Sequence, residues 1–210
     1  MFGTQDLLLF VIAGLLLNIT PGPDVLYIVG RSSTQGFMAG VWAALGIGAG
    51  CFVHITAAAL GLSAILTTSA IAFAAMKWIG AIYLAYLGIS LLLARRDPST
   101  TTAKPIPPAM PTTIFWQGFL TNALNPKVAL FFLAFVPQFI DASSPDKIAA
   151  FLFLGMVFNV NGTLWNIFVA WMSARLLARL TAVADVSVWL NRILGGVFLS
   201  LGVKLAFSER

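Results

Sequence analysis

Residues 18–24 read Asn18-Ile19-Thr20-Pro21-Gly22-Pro23-Asp24, within an apolar run covering roughly 7–29. Two prolines remove two backbone donors and press ring atoms against the preceding carbonyls, while the glycine between them cannot resist the bend. No helix runs unbroken through this stretch. In hydrocarbon the freed backbone groups need partners, so such a break survives only where protein or a water-filled cavity surrounds it. Asp24 follows directly, and a carboxylate at mid-bilayer costs at least ~2.5 kcal/mol on insertion scales. A cost of that size points to pairing or to function. The plainer reading is that Asp24 caps the helix restarting after Pro23. The two are compatible, because a helix N-terminus offers donors that suit a carboxylate.

The composition identifies lipid as the solvent. Of 210 residues, 60% are hydrophobic and 9% charged, whereas a soluble domain carries roughly a quarter charged. Mean hydropathy is +0.95. The net charge of +5 is spread thinly between apolar runs and reads as a topology signal rather than a nucleic-acid surface. The single cysteine, Cys51, allows no intramolecular disulfide, thiol relay or cysteine-rich metal site. The first apolar run has no basic residue before it, so it is expected to be a retained span rather than a cleaved signal.

Apolar stretches able to cross about 30 Å of hydrocarbon fall at roughly 7–29, 40–66, 71–93, 115–139, 148–172 and 188–207. The sequence therefore predicts an all-α integral membrane protein of about six transmembrane helices, with the first and fourth broken by proline. Basic residues favour one side: Arg31 in the first loop, Arg95, Arg96 and Lys104 in the third, Arg175 and Arg179 in the fifth. These loops are expected to be cytoplasmic and both termini outside, although Lys204 and Arg210 argue the other way.

The halves resemble each other at a spacing of about 100 to 115 residues. Asn18 before Pro23-Asp24-Val25-Leu26 matches Asn122 and Asn125 before Pro126-Lys127-Val128-Ala129. Leu45-Gly46 and Ser63-Ala64 match Leu154-Gly155 and Ser173-Ala174; Lys77, Gly80-Ala81 and Gly88 match Arg192, Gly195-Gly196 and Gly202. Three helices per copy is odd, so the second copy enters the membrane inverted, an arrangement that puts a binding site near the midplane. One transmembrane domain over 1–210 is expected, with repeat A at about 5–94, a cytoplasmic linker at about 95–113 and repeat B at about 114–210. Glycine-rich helices also look alike because small residues recur wherever helices pack closely.

Asn125-Pro126-Lys127 repeats the broken-helix device with opposite charge. Alignment of the repeats makes an Asp24–Lys127 pair an expectation; the rival reading has Lys127 snorkelling to the interface. In the fifth stretch Asn159, Thr163 and Asn166 share a face by their +4 and +3 spacing, either lining a cavity or hydrogen-bonding between helices. His54, the only histidine, aligns with Thr163 and is a candidate proton carrier or a neutral packing residue. Gly61-Leu62-Ser63-Ala64 weakly resembles a membrane serine-protease elbow but lacks its final glycine. With no catalytic set, phosphate loop, zinc spacing or dinucleotide fingerprint, no enzyme activity, cofactor or metal is expected.

Three motifs in order resemble the LysE/RhtB amino-acid exporters: Asn-Ile-Thr-Pro-Gly-Pro-Asp from Asn18, Lys-Trp-Ile-Gly-Ala-Ile-Tyr-Leu-Ala-Tyr-Leu-Gly from Lys77, and Phe-Leu-Thr-Asn-Ala-Leu-Asn-Pro-Lys from Phe119. The resemblance covers essentially the whole chain. It implies a multi-pass protein of the bacterial cytoplasmic (inner) membrane that exports amino acids or close derivatives of the threonine, homoserine or homoserine lactone type, or other neutral or basic amino acids. Proton antiport with alternating access is implied by the family. The motif carries over to Asn18, Thr20, Pro21, Gly22, Pro23 and Asp24, and to Asn122, Asn125, Pro126 and Lys127. With Asn159, Thr163 and Asn166 these form the expected substrate-binding and gating set; Asp24 and His54 are the candidates for proton coupling. The expected partners are the amino acid, protons and the bilayer, with no nucleic acid; glycine faces on the second and third spans suit either a homodimer or packing within one subunit. The alternative is a channel or metal-ion carrier on a related membrane fold, against which stand the few acidic and histidine residues within the spans.

Overall fold

The computed structural model describes residues 3–64, 70–93, 107–141, 144–175, 192, 195–200, 202–203 and 206–207. These residues form the helices α1 (Leu7–Ile19), α2 (Pro23–Gln35), α3 (Phe37–Leu62), α4 (Ala70–Leu93), α5 (Pro111–Ala123), α6 (Pro126–Phe139) and α7 (Lys147–Arg175). Residues 195–200 are also helical. Among the described residues there is no strand, only an isolated bridge between Thr4 and Ile140. The protein is an all-α membrane protein. α3 and α7 are each long and apolar enough to cross a bilayer, and α1–α2 and α5–α6 qualify as two further spans, bent by 54° and 44° at their breaks.

The breaks fall where proline chemistry requires them. α1 ends at Ile19, capped by Thr20, whose hydroxyl and backbone N–H both donate to the Leu16 carbonyl. Pro23 and Pro126 open the next helices, a position where the missing N–H has no intrahelical acceptor to lose. At the other end of α2 the chain reverses into α3 through Gly36, whose φ of 85° lies in the region that favours glycine.

Two outlines depart from the apolar runs. α2 extends through Arg31 to Gln35, and α5 begins at Pro111 rather than near 115. Both polar extensions are held by hydrogen bonds between the end of α2 and residues 107–117, which periodicity alone does not reveal. The sixth expected span, 188–207, lies largely outside the described residues, as do linker residues 95–106 with Arg95, Arg96 and Lys104, and also Arg179, Lys204 and Arg210.

Small residues let α3 approach its neighbours closely, as packing in lipid favours. A Cβ at Gly118 of α5 would lie 2.6 Å from the Ala43 carbonyl, while Cβ atoms at Gly46 and Gly50 would collide with the backbone carbonyls of Phe115 and Phe119. Gly80 of α4 similarly faces Ala134 of α6. These glycines are thus occupied inside one chain, which removes the argument from them for a homodimer. A second core joins α1, α6 and α7 through Phe10, Phe131, Phe139 and Phe158, with Phe131 and Phe158 stacked at 4.7 Å. Leu26, Ile82, Leu124 and Leu164 stand exposed on the outside, an apolar surface suited to lipid.

Candidate functional site

Both breaks meet at one polar centre. Asp24 lies in the first turn of α2, where a negative charge complements the helix dipole. Its carboxylate does not cap that helix: Oδ2 accepts from Asn122 Nδ2 at 2.9 Å and Asn125 Nδ2 at 3.0 Å. Asn125 also caps α6, its Oδ1 accepting from the Lys127 backbone N–H at 3.0 Å. One asparagine therefore starts a helix and holds the carboxylate of another.

Lys127 makes the reciprocal contact. Its Nζ donates to the carbonyls of Leu17, at 2.9 Å, and Thr20, at 3.0 Å. A cation at the C-terminal end of α1 is favourable to that helix's dipole. The ammonium is turned inward, which excludes the snorkelling reading. Asp24 and Lys127 converge on one centre, but their hydrogen bonds go to the opposite break and not to each other. The expected direct pair is replaced by crossed contacts, because each charge meets the free backbone or amide groups of the other broken helix first.

These groups border a cavity of about 20 Å³, room for one water-sized molecule. Asn18, Asp24, Asn122 and Lys127 line one side, and Asn159, Thr163 and Asn166 of α7 line another. Val25, Ile47, Cys51, Val128 and Phe158 supply an apolar wall. Two glycines make room: a Cβ at Gly48 would lie 2.8 Å from Thr163 Oγ1, and one at Gly162 would lie 3.0 Å from Asn18 Nδ2. Three buried polar atoms here have no hydrogen-bond partner: the acceptors Asp24 Oδ1 and Asn122 Oδ1 and the donor Asn18 Nδ2. Unmade buried hydrogen bonds cost roughly 1–3 kcal/mol each, so a polar molecule placed here would recover that cost.

The other expected residues sort by role. Pro21, Pro23 and Pro126 lie on the exposed side and create the breaks without lining the cavity. Gly22 lets Lys127 pass, since a Cβ there would meet Nζ at 3.3 Å. Thr20 contributes its carbonyl. His54 stands one step back: its Nε2–H donates to the Asn122 carbonyl at 2.9 Å, and its ring stacks on Phe132. Ser63 donates to the Ala59 carbonyl of its own helix. The sequence does not reveal the apolar wall or the two clearing glycines, because only packing decides which glycine of α3 or α7 faces an asparagine or threonine.

Asn125→Ala removes a helix cap and one of the two carboxylate donors. The expected result is a loss of about 1 kcal/mol of stability with a partial fall in activity, measured by thermal unfolding in detergent and by uptake assays on the same preparation.

Proline-broken spans around a central polar cavity in an apolar shell define a membrane carrier. The chain belongs to the LysE type translocator family, whose pattern it matches over residues 15–209. It is 29% identical over 210 residues to an uncharacterized membrane protein of Pseudomonas aeruginosa, covering 97% of this chain and 96% of that one. It is 30% identical over 175 residues to the uncharacterized membrane protein YrhP of Bacillus subtilis, covering 80% and 83%. A leucine efflux protein of an Enterobacter species is 25% identical over 209 residues, covering 98% and 97%. No solved structure matches the chain. The protein is a multi-pass bacterial membrane transporter.

Proposed function

We propose that the protein exports neutral amino acids from the cytoplasm, binding them as zwitterions at the cavity between the two breaks. The observation that carries this reading is the set of unpartnered polar atoms on one cavity wall. Asp24 Oδ1 and Asn122 Oδ1 accept from an α-ammonium. Asn18 Nδ2, with the Lys127 N–H left over from its two carbonyl bonds, donates to an α-carboxylate. The apolar wall of Ile47, Cys51 and Phe158 suits an uncharged side chain, and the likeness to leucine efflux proteins supports a neutral cargo. Threonine- and homoserine-type substrates remain within this class.

The crossed contacts support two inverted repeats that share one site: the start of α2 is bound by the end of α5, and the start of α6 by the end of α1. Alternating access then follows from rocking one repeat against the other. A cavity of about 20 Å³ is too small for an amino acid, so the helices must part for substrate to enter. Proton antiport places the exchanged proton on Asp24 Oδ1, and His54 positions Asn122 beside it. For the channel or metal-carrier alternative no observation speaks: among the described residues no three His, Cys, Asp or Glu side chains gather.

The test is counterflow in proteoliposomes with labelled leucine, threonine and lysine, with and without an imposed pH gradient. Exchange of leucine or threonine, enhanced by the gradient, is expected. Exchange of lysine alone would overturn the neutral-substrate reading, and no exchange of any amino acid would overturn export itself.

A further inference from the structure

The two ends of the molecule are each closed by a separate clasp, and the clasps occupy equivalent places in the two halves. One joins the end of α2 to the segment leading into α5. Arg31 donates to Gln35 Oε1 at 2.9 Å, the Pro107 carbonyl at 3.0 Å and Gln117 Oε1 at 2.7 Å. Gln35 and Ala109 exchange two hydrogen bonds, Nε2 to carbonyl and N–H to Oε1. The Tyr27 hydroxyl lies 3.0 Å from both the Ile114 carbonyl and Gln117 Oε1. The other clasp joins the segment leading into α1 to the end of α6: Gln5 N–H donates to the Phe139 carbonyl at 2.9 Å, Gln5 Nε2 to the Gln138 carbonyl at 3.0 Å, and Asp141 N–H to the Gly3 carbonyl at 2.8 Å.

We propose that these clasps are the two gates of the carrier, with Arg31 the latch of the cytoplasmic gate and the Gln5 segment that of the outer gate. Each ties together the far ends of half-helices that hinge at Thr20–Gly22 and Leu124–Asn125, so releasing one parts those ends without disturbing the other. The cytoplasmic clasp is chemically suited to release. Arg31 is 5% exposed; among the described residues its acceptors are neutral amide and carbonyl oxygens, its guanidinium carbon lies 5.6 Å from the centre of the Tyr27 ring, and its Nε–H is buried without a partner. A buried cation held only by neutral oxygens and one aromatic face gains hydration when the clasp opens, so closure here is only shallowly favoured. A permanent strut would be expected to neutralise the charge with a carboxylate. The outer clasp is mainly backbone pairing and carries no such penalty.

The inference rests on the carrier reading but needs no knowledge of cargo, because Cys51, the only cysteine of the chain, lines the central cavity. Its reaction with a membrane-impermeant methanethiosulfonate, applied from one side to right-side-out or inside-out vesicles of the full-length protein, reports gate opening without any transport assay. Arg31→Gln is expected to raise the labelling rate roughly tenfold or more from one face only. Gln5→Pro, which removes both donors of that residue, is expected to do so from the opposite face only. Tyr27→Phe, a milder change that keeps the fold, is expected to shift the rate in the same direction as Arg31→Gln by a smaller factor. Unchanged labelling in Arg31→Gln and Tyr27→Phe, equal increases from both faces, or increases from the same face for both clasps would each overturn the proposal. Failure of amino-acid counterflow with face-selective labelling would sink the cargo and leave the gates standing.

Discussion

Asp24→Asn is expected to lower transport by roughly 100-fold or more, the equivalent of about 2.8 kcal/mol of lost substrate and proton binding, because the variant offers no anionic oxygen to an ammonium and cannot carry the exchanged proton. Asparagine has nearly the same shape, and its carbonyl oxygen still accepts from Asn122 and Asn125. Lys127 keeps its two carbonyl acceptors at the end of α1. The protein should therefore reach the membrane and extract as the parent does. What it loses is the anionic Oδ1 in the cavity, the only carboxylate among the cavity-lining residues and the group assigned to the ammonium and the exchanged proton. Counterflow, normalised to protein recovered in vesicles, measures the loss. The same variant should show no response to an imposed pH gradient. Retention of activity within about threefold of the parent would remove Asp24 from the mechanism.

The second large effect is on folding. Gly46→Val is expected to abolish recovery of folded protein, at a cost of ~3 kcal/mol or more. The Cβ of any residue at 46 would collide with the Phe115 carbonyl, and the obstacle is backbone, which no rotamer change can clear. Valine adds two further carbons at the crossing. The damage would spread to the site, because α5 also carries Asn122, which binds both Asp24 and His54. Gly61→Val is the matched control: a Cβ there meets nothing within 4 Å, and its recovery should equal that of the parent. Size-exclusion profiles in detergent compare the two, and a monodisperse Gly46→Val protein of normal yield would contradict the packing account.

Much of this architecture was legible in the order of residues. Pro21-Gly22-Pro23 and Asn125-Pro126 give the breaks because proline acts on its own backbone, whatever surrounds it. Asn18, Asp24, Asn122, Lys127, Asn159, Thr163 and Asn166 all line the cavity, as the rule that polar groups in lipid look inward requires. Arg31 was legible only as a topology marker. Its burial and its bonds to Pro107 and Gln117 depend on how α2 lies against α5, a relation between residues 76 and 86 positions apart that no local pattern encodes. The glycines of α3 were ambiguous for the same reason: a small-residue face states that something comes close, but not whether it belongs to the same chain.

The sequence by itself determined the solvent, the spans it describes as continuous or broken, and the inward polar set, since each follows from composition, length or the chemistry of single residues. Only the tertiary structure decided the partners. Asp24 and Lys127 carry opposite charges at matching breaks, and charge alone would pair them. Packing instead brings Asp24 to amides 98 and 101 residues away and Lys127 to carbonyls 110 and 107 residues away. The physical reason is that a broken helix presents its own unsatisfied groups at the break, and the nearest buried charge of the other half satisfies them. The Pro-Gly-Pro stretch marks where that happens; the fold chooses what fills it.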